Sequence, residues 1–167
     1  VNQIEDRIGG ACNVALNIAS LGAAAAIVAV VGRDEAADVL RQRLDSAGIN
    51  SDFQISATRP TITKLRVISR SQQLLRMDFE ETFTTEDSCE IAARAEQFLA
   101  QVGALVLSDY AKGALADPQP LIAAAKAQGI PVLVDPKGSS FDKYRGATLL
   151  TPNLHEFETV VGVCQSE

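Results

Sequence analysis

The chain has 167 residues, enough to bury one sizeable core, and the length favours a single domain with an appendage. Its 15 basic and 21 acidic side chains give a formal net charge of −6, which argues against a protein that binds nucleic acids through a basic surface. The longest apolar run, Leu21 to Val31, is too short to cross a bilayer, and no signal peptide is recognisable. We therefore expect a globular protein with no nucleic-acid or membrane partner.

The cysteine pattern indicates a reducing compartment. Cys12, Cys89 and Cys164 are widely spaced and form no CxxC pair, and His155 is the only histidine. An odd number of separated cysteines supports neither a disulfide framework nor a zinc site. Three reduced thiols are typical of a cytoplasmic protein, so a cytoplasmic location is expected.

The first predicted helix follows two adjacent glycines, Gly9 and Gly10, in the stretch GGACNVALNIASLG. Asn13, Asn17 and Ser20 recur at helical spacing and share one face. Glycines without a Cβ let a ligand approach the backbone at a helix N-terminus, and an asparagine both donates to and accepts from hydroxyl groups. A polyhydroxylated ligand would suit this face. The alternative is a tight turn, with Asn13 hydrogen-bonded in the core.

Strands and helices then alternate along the chain, which predicts a mainly parallel sheet covered on both faces. Asp34, the Thr84/Asp87 pair and Asp117 are predicted to cap helices. In chain order, the predicted elements are a strand over 26–31, a helix from Asp34 to Gly48, a helix over 86–101, a strand over 104–107, a helix over 118–128, strands over 130–134 and 147–151, and a helix from Asn153.

Residues 61–79 interrupt this alternation. Two extended runs, TITKLRVIS and QLLRMDF, flank the polar SRSQ and predict an antiparallel hairpin with Leu75, Met77 and Phe79 on one face. From Arg59 to Arg76 there are five basic residues and no acid. Clustered positive charge suits a phosphate-bearing ligand, whereas the alternative is an edge strand whose charges deter aggregation.

Polar side chains follow three of the predicted strands, where ligands bind in parallel sheets. They are Asp109 and Lys112, then Asp135 and Lys137, then Asn153 and Glu156. Each aspartate could instead cap a turn, and Asn153 with Glu156 is also a capping-box spacing. Capping does not exclude phosphate binding at the same helix N-terminus.

These stretches resemble the ribokinase-like (pfkB) family of carbohydrate kinases. GGACNVALNIASLG and VGRDEAADVL are similar to its amino-terminal signature, and PTITKLRVISRSQQLLRMDFEE, LSDYAKGAL, PVLVDPKG and YRGATLLTPNLHEFE are similar to its heptose 7-phosphate kinase branch. The resemblance covers nearly the whole chain, and it implies that residues 1–167 form part of a kinase domain. It implies an α/β fold, a three-layer α/β/α sandwich that is incomplete here, with residues 58–81 as a β-hairpin lid.

The resemblance also implies a reaction. With ATP and Mg²⁺, members of that branch phosphorylate the anomeric hydroxyl of D-glycero-β-D-manno-heptose 7-phosphate to give the 1,7-bisphosphate, for ADP-heptose and lipopolysaccharide core synthesis. A homodimer through the lid hairpin is implied as well. On the sugar side the implied residues are Gly9, Gly10, Asn13, Lys64, Arg66, Arg76, Asp109 and Lys112. On the ATP and Mg²⁺ side they are Asn153, Leu154, His155 and Glu156 of the NxxE motif, with Glu156 acting on the metal through water, and Asp135 and Lys137 beside them.

Some family features are not found in this sequence. Cys12 stands where the family usually has a small alanine, Val1 to Ile8 reads like a strand already under way, and the first strand with its substrate-binding aspartate is missing. So are the Gly-Ala-Gly-Asp motif with the general base and the adenylyltransferase domain. We therefore expect a piece of a longer kinase that is inactive alone. The alternatives are another sugar or sugar-phosphate kinase and a non-catalytic sugar-phosphate-binding or dimerisation module; an oxidoreductase is disfavoured because no GxGxxG fingerprint occurs.

Overall fold

The computed structural model describes residues 3–70 and 72–163 and divides into two compact units, Val1–Ser88 and Cys89–Glu167. Each unit combines helices with strands, as expected for an α/β chain. Cys164 and Ser71, which belong to predictions made above, lie outside the described residues. Within the part of the chain that is described, no helix is both long enough and apolar enough to cross a membrane.

The first unit packs two helices against a pair of parallel strands. Strand β1 runs alongside β2, with Ala26 opposite Asn50 and Val31 opposite Ile55. Its buried core includes Cys12, Ala15, Ile27, Val31, Ala37, Leu44, Ile49 and Phe53. The elements of this unit are α1 (Gly10–Ser20), β1 (Ala26–Val31), α2 (Glu35–Ser46), β2 (Asn50–Ile55), β3 (Thr63–Ser69) and β4 (Gln72–Phe79).

Both ends of α2 are closed as the sequence predicts. The Asp34 carboxylate accepts a hydrogen bond from the Ala37 amide at 3.0 Å. At the other end Gly48 adopts φ +70°, a left-handed conformation that glycine reaches at little cost. This turn lets the Ile49 amide donate to the Leu44 carbonyl at 3.0 Å, and both of those side chains are buried. The predicted helix and its cap are thereby confirmed.

The structure of this unit differs from the sequence analysis at two places, one strand that was not predicted and one predicted strand that is wrong. Strand β2 was not predicted, because Asn50, Asp52 and Gln54 interrupt its apolar residues; pairing with β1 makes the segment a strand. Conversely, the described part of the predicted strand Val1 to Ile8 has no regular secondary structure. An extended segment becomes a strand only when its backbone pairs with a neighbour, and no described residue pairs with residues 3–8.

The predicted hairpin is confirmed as β3 and β4. The two strands are antiparallel, with Leu65 opposite Met77 and Val67 opposite Leu75, and the register shifts after Val67. These four apolar side chains are 38–50% exposed. We call the surface formed by Leu65, Val67, Leu75, Met77 and Phe79 the apolar face of the hairpin.

The second unit contains a three-stranded parallel sheet in the order β5-β6-β7. Leu107, Val132 and Val134 of its strands are buried, together with Leu99, Leu121 and Ile122 of its helices. The elements are α3 (Ile91–Leu99), β5 (Leu105–Ser108), α4 (Gln119–Ala127), β6 (Val132–Asp135), a 3₁₀ helix (Asp142–Tyr144), β7 (Leu149–Leu150) and α5 (Leu154–Val161).

Helix α3 is shorter than predicted, since it begins at Ile91 and residues 85–90 form turns. The predicted Thr84/Asp87 pair does form: the Thr84 amide donates to Asp87 at 2.9 Å, and the Asp87 amide donates to the Thr84 hydroxyl at 3.2 Å. The Asp87 carboxylate also accepts a hydrogen bond from the Ser56 hydroxyl. The pair therefore ties this segment to the end of β2 and does not start the helix directly.

Candidate functional site

The carboxyl ends of β5, β6 and β7 open into a cleft of about 380 Å³. Because the strands are parallel and in register, the residues that follow them meet at one edge of the sheet. Backbone hydrogen bonds hold this edge together: the Asp109 amide donates to the Asp135 carbonyl at 3.0 Å, and the Thr151 amide donates to the Val134 carbonyl at 2.9 Å. The lining residues are Asp109, Tyr110, Asp135, Pro136, Lys137, Thr151, Pro152, Asn153 and Glu156.

Glu156 links the start of α5 to the loop after β6. Its amide donates to the Asn153 side chain at 2.9 Å, while its Oε2 accepts from the Asn153 amide at 3.1 Å, which completes the capping box. Its Oε1 accepts from Lys137 Nζ at 2.7 Å. The hydrogen bond from Lys137 lowers the pKa of Glu156, and the same bond raises the pKa of Lys137. The two groups therefore form an ion pair at neutral pH.

Asp135 is the carboxylate of the cleft that remains open to a ligand. Its pKa is raised, chiefly by burial and then by the negative charges of Glu156 and Asp109. Among the described residues no side chain or amide donates a hydrogen bond to its carboxylate, and no group of three or more potential metal ligands occurs. The neighbouring carboxylates of Asp135 and Glu156 suit a hard cation that keeps most of its water, as Mg²⁺ does.

Asp109 is buried beside the cleft, with its side chain 3% exposed. Its Oδ1 accepts from the Ala111 amide at 2.7 Å, and its Oδ2 accepts from Lys143 Nζ at 2.5 Å and from the Tyr144 hydroxyl at 2.6 Å. The turn stabilised by Oδ1 holds Ala111 at φ +55°, a conformation that is uncommon for a residue with a Cβ. Asp109 thus organises the loop that follows β5.

Lys143 and Tyr144 are not predicted as site residues from the sequence. They come from the 3₁₀ helix, 34 and 35 positions after Asp109, and neither lies directly after a strand. The Tyr144 hydroxyl also accepts from the Lys137 amide at 3.1 Å. Burial, followed by the bond to Asp109, raises the pKa of Tyr144, so this hydroxyl stays protonated. The spacing of residues along the chain contains no signal for this contact.

The structure brings together only part of the predicted nucleotide-side set. Asp135, Lys137, Asn153 and Glu156 line the cleft together with Asp109. Leu154 and His155, in contrast, are exposed on the first turn of α5 and are not among the lining residues. Lys112 lies in the loop after β5, also outside the lining.

The two glycines before α1 differ in conformation. Gly10 adopts φ +56°, which favours glycine on backbone grounds. Gly9 is extended, at φ −129° and ψ −177°, and a Cβ added there would meet no atom within 4 Å. Asn13 is exposed, so the alternative in which it is hydrogen-bonded in the core does not hold. It lines a second cavity, of about 500 Å³, together with Glu5, Asp6, Arg7, Ile8, Leu16, Arg43 and Ser46.

The basic run of the hairpin is partly neutralised by acids that follow it in sequence. Lys64 donates to Glu80 at 2.8 Å and to Asp78 at 3.3 Å. The Arg76 guanidinium donates two hydrogen bonds to the Asp78 carboxylate, of 2.8 and 2.7 Å. Arg59 pairs with Glu81.

Arg66 is different, because it lies directly opposite Arg76 and forms no ion pair with any described residue. Like charges directly opposite each other across strands are unfavourable, so an anion bound at Arg66 would be favourable. Arg66 is therefore the basic residue of the predicted sugar-side set that remains available for an anion.

Comparison with known proteins identifies the relatives of this chain. Residues 1–167 match the family described as pfkB family carbohydrate kinase. The chain is 64% identical over 167 residues to the Bifunctional protein HldE of Hahella chejuensis, and 62% identical to the proteins of that name from Alcanivorax borkumensis and Pseudomonas putida strain W619. Each match covers 100% of this chain and 35% of the relative, so the chain spans about a third of the length of these curated relatives.

Solved structures show the same fold at low identity. The tetrameric inhibited form of phosphofructokinase-2 from Escherichia coli matches with a TM-score of 0.72 at 20% identity, over 95% of this chain and 54% of that chain. A carbohydrate kinase from Agrobacterium tumefaciens matches with a TM-score of 0.65 at 18% identity, over 92% and 52%. The expected ribokinase-like α/β fold, represented here in part, is confirmed.

Proposed function

This chain belongs to the pfkB family of carbohydrate kinases, and we propose that it forms part of an ATP-dependent kinase for D-glycero-β-D-manno-heptose 7-phosphate. The product would be the 1,7-bisphosphate, an intermediate on the way to ADP-heptose and the lipopolysaccharide core. The observation that carries this proposal is the 60–64% identity to HldE proteins across the full length of the chain. The stretches LSDYAKGAL, PVLVDPKG and YRGATLLTPNLHEFE, which resemble the heptose 7-phosphate kinase branch, lie in or beside the cleft.

On the nucleotide side, we assign the cleft of the second unit to the ATP phosphates. Free amides and the dipole at the start of α5, behind Asn153, attract phosphate oxygens. Asp135 and Glu156 are the carboxylates that would hold Mg²⁺ through its water shell, and Lys137 keeps Glu156 in place. Mg²⁺ would neutralise charge that develops on the transferred phosphoryl group. Leu154 and His155 belong to this proposal as the inner residues of the NxxE motif.

On the sugar side, Gly9, Gly10 and Asn13 are assigned to the sugar hydroxyls. A Cβ at Gly9 would meet no atom of the described structure, so packing does not explain the glycine at this position. The free space beside it supports the proposal that a ligand approaches the backbone there. Asp109 and Lys112 are placed on this side by resemblance to the family.

The hairpin would supply the phosphate contacts, with Arg66 as the available cation; Lys64 and Arg76, which Asp78 and Glu80 engage, belong to the same proposed set. Its apolar face supports the second partner that we propose, a second copy of the chain bound through the same hairpin. Burying such side chains is worth about 1.5–3 kcal/mol each when it is complete.

We also propose that this sequence acts within a longer polypeptide, because the relatives it matches are about three times its length. Phosphoryl transfer to a hydroxyl needs a general base, and by resemblance that base belongs to a Gly-Ala-Gly-Asp motif that this sequence does not contain. The 167-residue chain alone is expected to be inactive.

The test is a substrate panel on the protein made from the complete coding sequence. ATP turnover would be measured with heptose 7-phosphate, fructose 6-phosphate and ribose. The highest kcat/KM with heptose 7-phosphate is expected. A preference for another sugar would overturn the substrate assignment, and binding without turnover would favour a non-catalytic binding module.

The same assay on the 167-residue chain, with isothermal titration of heptose 7-phosphate, tests the predicted inactivity. Circular dichroism would first establish that the sample is folded. Turnover by this chain would place the catalytic base within it and contradict the proposal.

A further inference from the structure

Tyr144 is a buried polar residue that the proposed binding contacts do not use. It is 1% exposed and lies at the end of the 3₁₀ helix. Its hydroxyl donates to Asp109 Oδ2 at 2.6 Å and accepts from the Lys137 amide at 3.1 Å. A buried hydroxyl with both a donor and an acceptor partner is fully committed to the protein. Its role is therefore to be sought in the residues that it connects.

Asp109 makes the first of these connections. Three donors, Ala111, Lys143 and Tyr144, already surround its carboxylate, and its side chain is 3% exposed. Lys143 compensates the buried negative charge, and its Nζ lies 5.0 Å from the centre of the Tyr144 ring. A buried carboxylate held in this way forms a firm anchor for the tyrosine hydroxyl.

Lys137 makes the second connection. The Tyr144 hydroxyl holds its backbone amide, while its side chain donates to Glu156 at 2.7 Å. The contacts therefore run without a gap from Asp109 through Tyr144 to Lys137 and Glu156, with no step longer than 3.1 Å. The Lys137 side chain is exposed. Without the hydrogen bond from its amide to the Tyr144 hydroxyl, the position of the Lys137 backbone would depend on the ion pair between Lys137 Nζ and Glu156.

We propose that Tyr144 is a positioning residue: its hydroxyl, held by Asp109, fixes the backbone of Lys137 so that Lys137 meets Glu156 in the cleft. The proposal rests on the assignment of this cleft to Mg²⁺ and ATP phosphates. In this proposal Asp109 also positions Lys137, because it holds the Tyr144 hydroxyl; this role is in addition to its predicted position on the substrate side.

The test is Tyr144→Phe in the protein made from the complete coding sequence, because phenylalanine keeps the ring and removes only the hydroxyl. Loss of one hydrogen bond that orients a charged pair corresponds to a rise of about 5- to 20-fold in the KM for Mg-ATP. The KM for the sugar phosphate is expected to stay within about twofold, since the tie acts on the nucleotide side.

Thr148→Val is the matched control. The Thr148 hydroxyl also accepts a hydrogen bond from a backbone amide, that of Val132 at 3.0 Å. This contact lies at the start of β6, whereas Lys137 follows the end of that strand. A general loss of stability would appear in both variants, whereas the change in KM for Mg-ATP is expected only in Tyr144→Phe. Equal effects on that KM in the two variants would overturn the proposal.

A double mutant tests whether Tyr144 acts through Lys137. If it does, Tyr144→Phe adds less than about a twofold change to Lys137→Met, because the side chain that it positions is already gone. Fully additive effects would contradict the proposed route.

Amide hydrogen exchange at Lys137 provides a readout that does not need activity. Exchange is expected to be faster in Tyr144→Phe and unchanged in Thr148→Val. Unchanged exchange at Lys137 in Tyr144→Phe overturns the positioning role whatever the enzyme assay shows. If exchange responds as expected but the wild-type protein has no kinase activity, the positioning of Lys137 holds and the proposed function fails.

Discussion

At the scale of single residues, Gly9 and Gly10 have different reasons to be glycines. Gly10 is held at φ +56°, where a Cβ would be strained. Gly9 is extended with open space around its missing Cβ, so nothing in the described structure demands glycine there. The adjacent pair in the sequence therefore combines a backbone requirement with a position that remains open to a ligand.

Gly9→Ala is predicted to separate these two roles. Stability should fall by about 1 kcal/mol, because alanine is a poorer N-cap residue than glycine. The KM for the sugar phosphate should rise, since the new methyl group would stand where the ligand approaches the backbone. Gly103→Ala is the matched control, as its added Cβ also meets no atom within 4 Å. Unchanged kinetics in Gly9→Ala would contradict the assignment of Gly9 to the sugar.

Arg66 is the residue for which the structure changed the interpretation of the hairpin most. Lys64 and Arg76 are engaged by Asp78 and Glu80, whereas Arg66 has no acidic partner among the described residues. The basic run seen in the sequence is therefore less available to a phosphate than its composition indicates, because Asp78 and Glu80, which follow the run in sequence, neutralise two of its members.

Arg66→Ala is predicted to raise the KM for the sugar phosphate by about 10- to 100-fold, the range expected for a lost charge-assisted hydrogen bond. The KM for Mg-ATP should not change. Arg70→Ala removes the same charge from the hairpin turn and is expected to behave like wild type. Equal losses in the two variants would indicate a general charge effect and not a specific phosphate contact.

At the scale of elements, the hairpin is held by polar ties at its base. The Thr61 amide donates to Asp34 Oδ2 at 2.7 Å, and the Gly32 amide donates to the Thr61 hydroxyl at 2.9 Å. A Cβ at Gly32 would lie 2.5 Å from the Thr61 nitrogen, so only glycine fits beside this connection. Asp34 therefore caps α2 with one oxygen and holds the entrance of the hairpin with the other.

The hairpin itself is predicted to depend on pH through Asp78. The hydrogen bonds from Arg76, and then the contact with Lys64, lower the pKa of Asp78 to about 2 from an ordinary 3.8. Because the folded-state pKa is lowered, the stabilisation is complete above pH 3.8 and is lost as the pH falls towards 2. A carbon-13 NMR titration of the Asp78 carboxyl is expected to show a midpoint of about 2. Arg76→Met should return the midpoint towards 3.8, and a midpoint that does not move would contradict this account.

At the scale of the whole molecule, the chain spans about a third of the length of the HldE proteins that it resembles. The apolar face of the hairpin is exposed within the described residues, and the proposed function assigns it to a second copy of the chain. A surface of this kind on a two-stranded element gains stability when another apolar surface covers it.

The dimer is predicted to be broken by Val67→Lys combined with Leu75→Lys, two opposed residues of the apolar face. Light scattering after size exclusion should show a dimer for the wild-type protein made from the complete coding sequence and a monomer for the variant, because buried lysines would have to lose their hydration. Leu21→Lys is the control, since Leu21 is 88% exposed outside the hairpin. A monomeric wild-type protein, or a variant that stays dimeric, would refute the proposed interface.

Local chemistry made much of the fold predictable from the sequence. Apolar spacing, the Asp34 cap, the Asn153 and Glu156 capping box and the polar turn of the hairpin all involve residues close together in the chain, and these elements are confirmed. Motif similarity likewise identified the family across residues 1–167. Short-range interactions and sequence patterns carry this information because they do not depend on where distant segments lie.

Only the tertiary structure decided which distant groups meet. Strand β2 exists because it pairs with β1, α3 starts late where Asp87 is bound by Ser56, and Asp109 finds Lys143 and Tyr144 more than thirty positions away. In the same way, Asp78 and Glu80 on the other side of the hairpin neutralise Lys64, whereas Arg66 has no acidic partner among the described residues. Hydrogen bonds and ion pairs depend on distances of about 3 Å, and the packing of the folded chain sets those distances, whatever the separation along the sequence.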